Sequence, residues 1–317
     1  MYTDGYGAAH AEGYQTKATG GYGAHSEGAN TTASSYRAHA EGWGTVASGT
    51  NAHSEGEYTK AKGRSSSAHG CTTTASATGV GQAVFGKYNT EIIASDENTQ
   101  DSTNADALFI VGCGTASATK NAFRITSGGK CYGASAFGSS GADFAELFEW
   151  ADGNPNNEDR RGLFVALERE KIKIANADDD YIGVISDAQA FIGNSASEEW
   201  QGKYLTDIFG GKLTQEVEVP EVIDEETGEV IQEATTAIQY VLNPEYDPDE
   251  EYIMRENRKE WGIVGLLGQI VLIDDGTCVV GGRVVPKENG IGTASTTKEG
   301  YRVMVRLDDT HIKVLVK

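Results

Sequence analysis

The chain has 317 residues, 47 acidic against 26 basic, for a net charge of −21. So acidic a chain is not built to bind nucleic acid, because neutralising a phosphate backbone takes clustered Lys and Arg. The charge is also uneven. Residues 1–142 hold 11 acidic and 9 basic side chains and no proline, whereas everything after them holds 36 acidic, 17 basic and all five prolines. A length of this kind allows one to three domains, and the contrast places a seam near residue 142.

The opening MYTDG has neither basic residues nor an apolar run. No signal peptide is expected from it, and the chain is expected to fold in a cytoplasm. From residue 9 a motif recurs: AHAEG at 9–13, AHSEG at 24–28, AHAEG at 38–42, AHSEG at 52–56, and a fifth copy, AHGCT, at 68–72. Counted from Ala9, Ala24, Ala38, Ala52 and Ala68, the repeat lengths are 15, 14, 14 and 16. Nine residues after each start stands Ala18, Ala33, Ala47, Ala61 or Ala77, and eleven after it Gly20, Ser35, Gly49, Gly63 or Gly79. A short period with fixed offsets predicts a solenoid, one coil per repeat. Alternation within a coil sends Ala9 and Ala11 inward and His10 and Glu12 outward, with Gly13 at the corner. The inward residues are nearly all Ala, Ser and Gly, so the coils are thin and make a poor monomer. Several chains side by side are expected.

Repeats of about fourteen residues with Ala-x-Gly corners resemble the heads of YadA-like trimeric adhesins, and the HAEG form resembles that of phage tail proteins. The resemblance covers about residues 9–86 and implies a left-handed parallel β-roll with three chains around one axis. Stacking sets His10, His25, His39, His53 and His69 in a ladder beside Glu12, Glu27, Glu41 and Glu55. A structural ladder is the favoured reading, ahead of a metal row or a polar strip for a host cell-surface glycan.

Residues 88–102 are polar and aperiodic and read as a loop. ALFIVGCGT (107–115) and NAFRITSGGKCYGAS (121–135) read as strands, the second with a Gly128-Gly129 turn. They resemble connectors of phage tail fibres, which implies a trimeric β-prism.

GADFAELFEWADGNPNNEDRRGLFVALE (141–168) resembles the start of the Peptidase G2 domain, an autoproteolytic intramolecular chaperone at the end of phage tailspikes and appendages. IGNSASEEWQGKYL (192–205), LNPEYDP (242–248), EWGIVGLLGQI (260–270) and DDGTC (274–278) extend the resemblance over nearly all of 141–317. EVEVPEVIDEETGEVIQEA (216–234) departs from it and reads as an acidic hairpin with a Thr-Gly turn. The family is classed with glutamic peptidases, and its Asp-x-x-Glu falls on Asp143 and Glu146. Some members carry Ser before that Asp, where Ala142 stands here.

The residues also suggest a cut on their own terms. Gly138-Ser139-Ser140-Gly141-Ala142 is flexible and sterically bare. Asp143 and Glu146, three apart, share a face if they lie on a helical turn, and neighbouring carboxylates separate into an acid and a base. The scissile bond is placed between Ala142 and Asp143. A Ser139 or Ser140 nucleophile is the rival, although His311 is the one histidine after the seam and no GxSxG elbow is present.

Cys71, Cys113, Cys131 and Cys278 have no CxxC spacing, so no zinc site or disulfide framework is expected and buried free thiols are. WGIVGLLGQIVLI (261–273) is too short for a membrane span. The expected fold is mainly β: a trimeric left-handed β-roll head over 1–87, a β-prism connector over 88–140, and an α+β chaperone domain over 141–317. The expected protein is a homotrimeric phage or prophage tail fibre component, with other tail or baseplate proteins as partners. No cofactor, metal, nucleic acid or membrane insertion is expected, and single-turnover self-cleavage is the one enzymatic activity. A bacterial trimeric surface adhesin without proteolysis is the alternative.

Overall fold

The computed structural model describes residues 2–3, 9–93, 107–195, 200, 202–223, 230–232 and 234–317. The chain divides into two compact units, Met1–Gly138 and Ser139–Lys317, and each is taken by itself.

The first unit is a β-solenoid. Each coil contributes a five-residue strand to one sheet and a two-residue strand to a second, and all pairs within the coils are parallel. The long strands are His10–Tyr14, His25–Ala29, His39–Trp43, His53–Glu57, Ser67–Cys71 and Ala83–Lys87. Between the two sheets Ala11, Ala18, Ala33, Ala40, Ala47, Ala61 and Ala75 are fully buried. Only small side chains fit so narrow a space. Some of its polar groups pair, as the buried Ser26–Thr31 and Ser54–Thr59 do, each at 2.8 Å, whereas the buried hydroxyls of Thr16 and Thr45 have no partner among the described residues.

The coil corners explain the glycine in every repeat. Gly13, Gly28, Gly42, Gly56, Gly70 and Gly86 have φ between 98° and 110°, a region that residues with a side chain rarely enter. At Gly42 a Cβ would also stand 2.2 Å from the Gly56 carbonyl oxygen of the next coil.

That glycine column corrects the alignment of the fifth repeat. Gly70 pairs with Gly56, so His69 lies opposite Glu55 and Ser67 opposite His53. The histidine column therefore ends at His53, and His69 occupies the glutamate position. Likewise the partner of Ala61 is Ala75, and Ala77 is exposed. The repeated His suggests one alignment, but the corner glycine fixes another register. The two extra residues of that coil fall in the turn before Ala83. There buried Gln82 accepts from the Ser76 N–H and donates to the Ala107 carbonyl, both at 2.8 Å.

The roll's long-strand sheet continues through Ala107–Cys113, which pairs in parallel with Ala83–Lys87. Asn121–Thr126 and Cys131–Gly133 then extend it antiparallel, joined by the turn at residues 127–129. Residues 88–93 are irregular, as expected, and 94–102 lie outside the described residues. Of the four cysteines, only Cys278 is buried; Cys113 and Cys131 are exposed because outward positions on a thin sheet have no cover.

The second unit is built on a ten-stranded sheet. Its spine is Trp261–Ile273, thirteen residues long, which pairs with Asp143–Glu149, Tyr181–Ile185 and His311–Val316. Phe164, Val184, Leu272, Val284, Ile312 and Val314 form the main core, and Trp150, Val165, Ile172 and Val264 a second one. The described residues contain no α-helix, only the 3₁₀ turns Arg255–Asn257 and Glu288–Gly290. The α+β expectation is thus corrected to β, because the expected Asp143 helix is a strand. The acidic hairpin is present: Thr214–Val219 pairs with Thr235–Tyr240, and Val222–Ile223 with Val230–Gln232. Its Thr227-Gly228 turn lies outside the described residues. No described helix is long and apolar enough to cross a membrane.

Candidate functional site

Two places in the sequence carried chemistry, the histidine ladder and the junction at residue 142. In the ladder His25, His39 and His53 stack at centroid spacings of 4.7 Å, with planes 13° and 8° apart. His10 joins at 5.0 Å. His53 Nε2 meets Glu41 at 3.1 Å and His69 Nδ1 meets Glu55 at 2.9 Å, so these two rings reach the carboxylate of the coil below, while Nε2 of His25 and of His39 has no hydrogen-bond partner among the described residues. Among the described residues His39, Glu41 and His53 form one cluster with metal-ligand atoms, and Glu12, His25 and Glu27 another. In the first cluster the geometry suits stacking better than ligation. Lone pairs of near-parallel imidazoles run side by side, whereas two histidine ligands must converge on one ion at about 2 Å.

Burial, with His53 and His25 as charged neighbours, holds the His39 pKa below its ordinary 6.5. The folded head therefore binds fewer protons here than the unfolded chain does. Its stabilisation is complete above about 6.5 and is lost as pH falls through the lower folded value. Thermal unfolding of the head followed by circular dichroism should show a midpoint that drops between pH 7 and pH 5, and less steeply in His39→Gln.

At the junction the residues alternate in burial. Asp143, Ala145 and Leu147 are buried, while Phe144 is exposed and Glu146 half-buried. Asp143–Glu149 is a strand, so residues three apart point to opposite faces. The expected shared face of Asp143 and Glu146 is therefore corrected: strand pairing on both sides, to Trp261–Ile273 and to Gln189–Gly193, overrides the helical reading.

Asp143 is fully buried. The Ser186 hydroxyl donates to its Oδ1 at 3.0 Å, and Oδ2 has no partner among the described residues. Burial raises the Asp143 pKa, and the Ser186 hydrogen bond opposes the rise. Ala142 before it is held at both its peptide groups. The Ala142 N–H donates to the Ala188 carbonyl at 2.9 Å, and the Gln269 N–H donates to the Ala142 carbonyl oxygen at 3.2 Å. A donor at that oxygen sits where negative charge develops when a peptide carbonyl is attacked.

Two glycines of the long strand make room for this. A Cβ on Gly265 would lie 2.7 Å from Asp143 Oδ2, and one on Gly268, whose φ is 122°, 2.5 Å from the Ala142 oxygen. Ser139 Oγ accepts from the Gly141 N–H at 3.0 Å, and Ser140 is exposed. The single downstream histidine, His311, is bound to Asp308 at 2.9 Å. Ser186, Gly265, Gly268 and Gln269 escaped the sequence reading. Only the G-x-x-G spacing inside an otherwise apolar strand marks two of them.

A repetitive roll, a bare Gly-Ser run and a second unit that opens on a buried carboxyl define a two-part chain with a candidate processing junction. The chain belongs to the family described as "Peptidase_G2, IMC autoproteolytic cleavage domain", whose model matches residues 90–308. It is 36% identical over 181 residues to the preneck appendage protein of Bacillus phage PZA, which covers 54% of this chain and 19% of the relative. It is 39% identical over 173 residues to the putative phage-related protein YobO of Bacillus subtilis (strain 168), covering 54% and 20%. The chain thus spans about a fifth of the length of these relatives. Its fold is similar to that of the pre-mature bacteriophage phi29 gene product 12, with a TM-score of 0.57 and 23% identity over 98% of this chain and 39% of that one.

Proposed function

We propose that the chain is part of a phage or prophage tail appendage that assembles as a homotrimer and cuts itself once, between Ala142 and Asp143. In this reading the unit from Asp143 onward is an intramolecular chaperone. It brings three thin rolls into register and is then released, while the roll remains on the virion beside other tail proteins, available to a host-surface glycan. The observation that carries the proposal is the buried Asp143 at a peptide bond whose carbonyl oxygen accepts from the Gln269 N–H, with Ala188 holding the amide of the peptide just before it. An alanine-cored coil has little apolar area of its own to bury, which favours a shared core. Pairing strands far apart in sequence is slow and prone to aggregation, which is what a chaperone unit relieves.

The cut adds one water across the bond, leaving a carboxylate on Ala142 and an amine on Asp143. Asp143 works at the bond, and the second carboxyl is Glu146. Three residues of strand carry Glu146 about 10 Å along its own chain from the bond, and on the other face. Glu146 therefore acts on the Asp143 of a neighbouring chain, so cleavage waits for assembly. In this reading Ser140 is a flexible neighbour of the cut rather than its nucleophile.

Glu146→Gln is the test, because it keeps the shape and removes the charge. It should give an uncleaved chain on a denaturing gel and a trimer by light scattering. Wild-type cleavage of Glu146→Gln, or a monomer mass, contradicts the proposal.

A further inference from the structure

The three-residue segment Ser186–Ala188 touches the junction at two points. The Ser186 hydroxyl donates to Asp143 Oδ1 at 3.0 Å, and the Ala188 carbonyl accepts the Ala142 N–H at 2.9 Å. The segment is itself fixed. The Ser186 N–H is bonded to the Ile263 carbonyl at 2.9 Å, and the Ala188 N–H donates back to Ser186 Oγ at 3.3 Å. Ser186 is 6% exposed and Asp143 fully buried, so water does not compete for this hydrogen bond. One carboxylate oxygen is thereby occupied, and the other, Oδ2, has no partner among the described residues and lies beside Gly265.

Building on the proposed cut at Ala142–Asp143, we infer that Ser186 is a positioning residue for self-cleavage: it clamps Asp143 Oδ1, orients the carboxyl and leaves Oδ2 as the working oxygen. Burying a polar group calls for a hydrogen bond in any protein. A partner that serves burial alone, however, has no need to sit on the same short segment that grips the amide of the preceding residue. Nor does it explain why the second oxygen has no partner among the described residues.

The hydroxyl stabilises the charged carboxylate, so removing it raises the Asp143 pKa further, given that burial is then unopposed. The pH midpoint of cleavage moves upward whether Asp143 works as the carboxylate or as the acid. The sign of the shift thus does not depend on that assignment.

The experiment follows self-cleavage of the full chain made by cell-free synthesis, shifted to a series of pH values and sampled on denaturing gels. Ser186→Ala should cleave about ten- to a hundredfold more slowly, the range for losing a hydrogen bond to a charged group, with its pH midpoint above that of the wild type. Ser186→Thr, which keeps the hydroxyl, should restore the wild-type midpoint. A Ser186→Ala variant with wild-type rate and midpoint, or a Ser186→Thr variant whose midpoint shifts as the alanine's does, overturns the inference. Asp143→Asn, run in parallel, separates the two claims. If it still cleaves, the reading of the site fails; if it is inert while Ser186→Ala is wild-type, only the role of Ser186 fails.

Discussion

Asp143→Asn is expected to leave the full-length chain as a single band on a denaturing gel, with a loss of cleavage of at least about a hundredfold, the lower range for removing a positioned proton-transfer group. The amide nearly matches the carboxyl in size, so strand pairing to Gly268 and Gln189 is retained. The same variant carries a stability signature. Burial raises the Asp143 pKa, so the folded unit binds more protons than the unfolded chain across the window between the two values. The contribution is fully present below the unfolded carboxylate pKa and is lost as pH rises through the folded one. In a cleavage-blocked background such as Glu146→Gln, unfolding midpoints of the second unit should fall with rising pH across that window. Adding Asp143→Asn should flatten this part of the curve.

Gly42→Val is expected to cause the largest loss of stability in the roll. Its φ of 101° is hostile to a β-branched residue, and its Cβ would meet the Gly56 carbonyl oxygen at 2.2 Å. Both coils must then move, and Gly56 in turn stacks on Gly70. Backbone strain of this kind costs about 1–3 kcal/mol, and displacing the neighbouring coil adds to it. A total of about 3 kcal/mol or more lowers the midpoint of a unit this size by about 10 °C. Gly23→Ala is the control, because its φ of 85° is also positive but its Cβ would point into open space. Circular dichroism melts should show a large drop for Gly42→Val and a small one for Gly23→Ala; equal drops would mean that conformational strain, not coil contact, sets the cost.

The roll was legible because its physics repeats. One coil's alternation of Ala with His and Glu recurs often enough to give the strands, the inward face and the corners. In the fifth repeat histidine is the conspicuous residue, but the backbone constraint sits on Gly70, and the two differ by two positions in register. The junction was legible as a place and misread as a geometry. A composition change and a bare Gly-Ser run are visible in sequence, and the observed units part between Gly138 and Ser139. Whether DFAELFE forms a helix or a strand is settled by the partners at residues 189–193 and 261–268, which local spacing does not contain. Ser186 lies 43 positions from Asp143 in a stretch with no motif, so only the folded chain brings it to the carboxyl. Thin-sheet cysteines were misplaced for a related reason: burial at Cys113 and Cys131 depends on cover that one sheet does not provide.

The most direct test of the central claim is the intact mass of the freshly made chain under denaturing conditions, read beside N-terminal sequencing of the smaller-numbered and larger-numbered fragments. The account predicts two species that sum to the full chain plus one water, the second beginning Asp-Phe-Ala-Glu. One uncut species in a preparation that light scattering shows to be trimeric, or a second fragment that begins anywhere other than Asp143, would contradict it.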